Sequence, residues 1–128
     1  MKLISAILIF TAISLSGCTS LNVPRLTVEN AALLDVVTTG MGLAQGGREL
    51  NPLGFTGTNL AKLYYLYVLR PEYTVEQRAH TDRLFTALFT GAAVNNIIQT
   101  IWAPNLLVSA AFGAVVGWST YNASEVAE

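Results

Sequence analysis

From Leu84 to Ser124 the chain carries no charged side chain. A run of that kind constrains the fold more than anything else in the sequence, because the absence of charge suits it to lipid or to a deep interior. Leu84 to Ala103 is about the length a helix needs to cross a hydrocarbon core. Pro104-Asn105 then forces a reversal, and Leu106 to Tyr121 supplies a returning helix. Trp102, Trp118 and Tyr121 fall near the ends of this hairpin, where amphipathic rings prefer the boundary between lipid and water. Composition agrees. The chain is 52% hydrophobic and 12% charged, against roughly 25% charged in average soluble chains.

The remaining segments also read as helices, since their apolar runs lack the period-two alternation of strands. Thr27 or Asn30 can cap a first helix over Ala31–Gln45, which Gly46-Gly47 stops. Arg48 to Asn59 reads as a loop punctuated by Pro52, Gly54 and Gly57. A second helix is expected over Leu60–Leu69, ended by Pro71. Thr74-Val75-Glu76-Gln77 fits a capping box, so the third helix starts near Val75. The expected fold is all-α, a membrane-embedded four-helix arrangement of two helical hairpins.

The N-terminus has the layout of a secretory signal, with Lys2 before an apolar run from Leu3 to Leu15 and small residues after it. Leu15-Ser16-Gly17-Cys18 closes the run, and Cys18 is the single cysteine. This stretch resembles the lipobox of bacterial lipoproteins. The resemblance implies cleavage before Cys18, a diacylglycerol thioether on its sulfur and an N-acyl group. Each buried methylene contributes about 0.8 kcal/mol, so two or three chains make a stable anchor where one is marginal. The resulting division is a signal peptide over 1–17, a tether over 18–27, a helical membrane domain over 28–122 and a polar tail over 123–128.

Sidedness gives conflicting signals. Lipidation puts Cys18 on the outer face, and Thr19 lacks the aspartate that the lipoprotein resemblance associates with inner-membrane retention, which points to the outer membrane. Integral proteins of that membrane are typically barrels, however, and a helical hairpin fits the inner membrane better. Four crossings would leave Arg25, Arg70, Arg78 and Arg83 outside, against the positive-inside rule.

Polar groups inside apolar helices need partners. Asp35 lies among Leu33, Leu34, Val36 and Val37, and a carboxylate facing lipid would cost about 2.5–3.5 kcal/mol on insertion scales. Thr38 and Thr39 follow on the same helical face. Lys62 enters the second helix and can compensate Asp35 or Glu49. Asn95, Asn96 and Gln99 lie inside the third helix, and Asn95 is placed to bridge helices. Asp35, Thr39, Gly46, Glu49-Leu50-Asn51-Pro52, Lys62 and Asn95 or Asn96 together resemble a family of small multi-pass bacterial membrane proteins of unknown function. That likeness spans roughly Leu33 to Ile98 and implies a helical membrane architecture and no particular reaction. The lipoprotein leader is a departure from it. The candidate buried polar cluster is therefore Asp35, Thr39, Glu49, Asn51, Lys62, Asn95 and Asn96. Three readings stay open for it, a device that fixes helix packing, a pocket for an ion, a proton or a small ligand, and a catalytic site in which Asp35 and Glu49 pair as acid and base.

Ser109, Gly113 and Gly117 recur every four residues and permit close helix approach, within the chain or between copies, so a homo-oligomer stays open. Seven basic and eight acidic residues nearly cancel, which leaves no electrostatic footprint for nucleic acid. His80 is the single histidine and has no second histidine or free thiol for a metal site. No nucleophile elbow, phosphate loop or metalloprotease motif is present. The expectation is a lipid-anchored envelope protein with a non-enzymatic structural or interaction role, whose partners are the bilayer and an envelope protein, and with no cofactor beyond the Cys18 lipid. The alternative is a small transport or ligand-binding subunit.

Overall fold

The computed structural model describes residues 26–47, 53–102 and 105–125, and among these every regular element is helical. Helix α1 spans Val28–Ala44. Helix α2 spans Gly54–Tyr64, continues through a π-helical turn at Tyr65–Leu69 and finishes with Arg70–Glu72. Helices α3 and α4 span Val75–Trp102 and Leu106–Glu125.

Local chemistry sets most of these boundaries. The Thr27 hydroxyl accepts the Asn30 N–H at 3.3 Å, satisfying one orphan donor of the first turn of α1. At the other end Gly46 adopts φ +87°. The Gly46 N–H then reaches the Leu43 carbonyl and the Gly47 N–H reaches Gly42, a glycine-terminated stop that L side chains resist. Thr74 and Gln77 exchange side chain and backbone hydrogen bonds at 3.0 and 3.2 Å, as the capping-box pattern anticipates. The Asn105 side chain accepts the Leu107 N–H at 2.9 Å and opens α4.

Four boundaries differ from expectation. Helix α1 starts at Val28 rather than Ala31, because Thr27 and not Asn30 is its cap. Helix α2 starts at Gly54 rather than Leu60, taking into the helix two glycines that the sequence marks as breakers. Pro71 sits in the first turn of the closing Arg70–Glu72 segment, where its missing N–H costs little, so the helix passes it. Helix α4 continues beyond Tyr121 to Glu125.

The four helices run up, down, up and down. Gly42 lies beside Thr100, Asp35 beside Asn96, and Glu29 is linked to Asp82 through Arg70. Helix α1 is therefore parallel to α3. It packs mainly on α3, and only loosely on its sequence neighbour α2. Helix α3 is the axis of the bundle, with α1 on one side and α4 on the other. The expected α3/α4 hairpin is present, whereas the α1/α2 hairpin is joined more through side chains than through close backbone packing.

The α3/α4 seam is tight because its residues are small. A Cβ on Gly113 would lie 2.5 Å from the Gly91 carbonyl oxygen, and one on Gly117 would lie 2.8 Å from that of Ala87. Ser109 is fully buried on the same stripe and accepts a 2.7 Å hydrogen bond from Gln99. Ser109, Gly113 and Gly117 thus act within one chain. Helix α3 is long and apolar enough to cross a membrane by length and composition, and among the described residues it is the one helix that meets that standard.

Candidate functional site

Asp35 and Lys62 meet in the middle of the bundle. The Lys62 ammonium donates to Asp35 Oδ2 at 2.6 Å, and both residues are 6% exposed. Lys62 also donates to Asn59 Oδ1 at 3.3 Å and lies 5.4 Å from the Phe89 ring centroid, within cation–π range. Asp35 Oδ1 accepts from the Asn96 amide at 3.1 Å and from the Thr39 hydroxyl at 3.5 Å. The same Asn96 amide donates to Thr39 at 2.7 Å. One carboxylate thus joins α1, α2 and α3, and each of its oxygens has a donor.

Of the residues singled out by sequence, Asp35, Thr39, Lys62 and Asn96 converge. Asn95 does not bridge helices as expected; Asn96 does. The two are consecutive and so point about 100° apart on a helix of 3.6 residues per turn. Asn95 touches the cluster only through its amide, 3.5 Å from Asn96 Oδ1, and its own Oδ1 is buried with no hydrogen-bond partner. Thr38 turns back to the carbonyls of Leu34 and Asp35. Cys18, Glu49 and Asn51 lie outside the described residues. His80 is exposed.

A second network sits at the end of the bundle where α1 starts. Arg70 holds Asp82 in a fork of contacts at 2.7–2.9 Å and reaches Glu29 at 2.5 Å. Tyr65, on the π-helical turn, donates to the same Asp82 at 2.8 Å and packs on Phe85 with ring centroids 4.2 Å apart. Hydrogen bonds to Asp82 hold the Arg70 proton more tightly than usual, against the effect of burial. Burial works to raise the Glu29 pKa, but hydrogen bonds from its own backbone and Thr27, with the Arg70 charge, outweigh it and keep the carboxyl below its ordinary range. On α4, the Tyr121 carbonyl accepts from Arg83 at 2.9 Å, and the Arg83 guanidinium lies 3.9 Å from the Tyr121 ring centroid. No short motif announces the Arg70 network. Its signal is the concentration of charge from Arg70 to Arg83.

A cleft of about 1100 Å³ opens beside the central cluster and is bounded by all four helices. Its polar lining includes Asp35, Thr39, Gln45, Asn59, Lys62, Asn95, Asn96, Gln99 and Thr100. Among the described residues no group of three or more His, Cys, Asp or Glu stands close enough to hold a metal ion. No general acid or base stands free at the cluster, since Asp35 and Lys62 already engage each other, and the arrangement is suited to holding helices and to binding. No family model, curated protein or solved structure matches the chain.

Proposed function

We propose that the chain is an integral membrane protein of a bacterial envelope, anchored by lipid at Cys18, whose helical bundle works by binding other envelope components and not by catalysis. The observation that carries this reading is the reversal of inside and outside. Asp35, Thr38, Lys62, Thr86, Thr90 and Ser109 are buried, while Leu33, Leu107, Val115 and Trp118 are at least 61% exposed. Water favours the opposite distribution, and a contiguous apolar exterior marks a surface that meets lipid or protein. Small residues at helix seams and hydrogen bonds between helices are likewise what holds bundles together in lipid, where apolar burial no longer drives association. On this reading α1, α2 and α4 cross or enter the bilayer with α3, and the internal pairing of Asp35 with Lys62 serves architecture.

Extraction decides between embedding and surface attachment. Membranes carrying the full chain, and a Cys18→Ser variant, are washed at alkaline pH. The expected result is that both stay in the pellet, while intact mass shows acyl addition at Cys18 in the first and none in the second. Release of the Cys18→Ser variant into the wash would leave lipid as the sole attachment and overturn the embedded bundle.

A further inference from the structure

Helix α2 is fastened unevenly. Among the described residues, Lys62 is the one buried side chain of Gly54–Tyr64 and the one that hydrogen-bonds to another helix. Thr58 bonds only back to the Gly54 carbonyl. At the tip the Phe55 ring lies over Gly40, which offers no side chain to grip. The backbone of this stretch packs loosely on α1 and more sparsely still on α3. From Tyr65 onward the attachment changes. Tyr65 is buried, donates to Asp82 and packs on Phe85, and Arg70 holds both Asp82 and Glu29. The change falls at the first residue of the π-helical turn, and π-bulges are among the few places where helices kink sharply.

We infer that Gly54–Tyr64 is a lid over the cleft, hinged at the π-helical turn and clasped shut by Lys62 on Asp35. Phe55, Thr58, Asn59 and Lys62 are the α2 share of the cleft wall, so an outward swing of this stretch unroofs the central cluster. Asp35 does not depend on the lid for its position. Asn96 of α3 and Thr39 of α1 hold its other oxygen, so the carboxylate stays in place as the catch to which Lys62 returns. A helix docked by an apolar face would have to expose that face in order to leave. This one gives up an ion pair and a cation–π contact with Phe89. Its outward residues Leu60, Leu63 and Tyr64 are already at least 50% exposed, so lifting changes little for them. The lid holds for the bundle whether or not it is embedded in lipid.

The test is a pair of spin-label distances, measured by pulsed electron resonance on the full chain in mild detergent. Cys18→Ser ensures that only introduced cysteines carry label. Thr56→Cys with Leu107→Cys spans the cleft from the exposed tip of the lid to α4, and Tyr67→Cys with Leu107→Cys starts beyond the hinge. Thr56 lies about 14 Å along the helix axis from Tyr65, so a swing of about 30° moves it about 7 Å. Lys62→Met should lengthen the Thr56 distance by about that much and leave the Tyr67 distance unchanged. Because Lys62→Met strands Asp35, the measurement is repeated in the Asp35→Leu, Lys62→Met double variant, which holds no lone charge. It should also read long, since an apolar contact gives little drive to dock in detergent. An unchanged Thr56 distance in the double variant would overturn the clasp, and equal lengthening of both distances would overturn the hinge.

Discussion

Asp35 and Lys62 show how scarcity of charge makes a pairing readable. In a chain with so few charged groups inside its apolar helices, each must find the other, and the 2.6 Å contact follows from that need. Removing one partner leaves the other buried and uncompensated, a loss of about 3–5 kcal/mol, whereas replacing both by apolar residues of similar size is often neutral or better. Asp35→Leu and Lys62→Met should therefore each lower the unfolding temperature in detergent strongly, and the two together should recover most of it. If the losses simply add, the pair is not coupled. The choice between Asn95 and Asn96 was not readable in the same way. Both are amides in one apolar stretch, and only the rotation of α3 against α1 decides which of them reaches Asp35.

Among the elements, the ones legible in sequence are those whose signal is local. Thr74 and Gln77 form their cap from residues three apart, and Gly46 stops α1 through its own left-handed backbone. The start of α2 was not legible, since Gly54 and Gly57 read as breakers by propensity and tertiary surroundings overrule propensity. Nor was the π-helical turn at Tyr65–Leu69, which has no compositional mark; it places the Tyr65 hydroxyl on Asp82. The small-residue stripe on α4 was legible as a seam but not as to its partner. That partner is α3, and its tightness is testable. Gly113→Ala forces a methyl against the Gly91 carbonyl and should cost about 1–3 kcal/mol as an overpacked contact. Ala111→Val, on the exposed face of the same helix, should change stability little. Equal melting curves for the two variants would refute the close approach.

Among the described residues, charge gathers at one end of the bundle. Apart from Asp35 and Lys62, the described charged residues are Glu29, the group from Arg70 to Arg83, and Glu125, all at the end where α1 begins. The parallel sense of α1 and α3 follows from consecutive antiparallel helices, but connectivity does not suggest that α1 packs mainly on α3 and only loosely on α2. Acid should act on that end through Glu29. Its carboxyl is held below its ordinary value in the folded chain, so its contribution is present above the unfolded value of 4.5 and fades as pH falls through the folded one. Glu29→Gln should melt below the native chain at pH 6, and the gap should close in acid below pH 4.5. A gap that persists unchanged at low pH would assign the difference to something other than ionisation.

The parallel packing of α1 on α3 also sets a timetable. Asn96 follows Asp35 by 61 residues, so at synthesis rates of about 5–20 residues per second α1 exists for roughly 3–12 s before its main partner is complete. Lys62 arrives after 27 residues, in less than half that time. The ion pair thus gives the nascent α1 an early companion for its buried carboxylate, Asp35, held until the third helix comes to cover it.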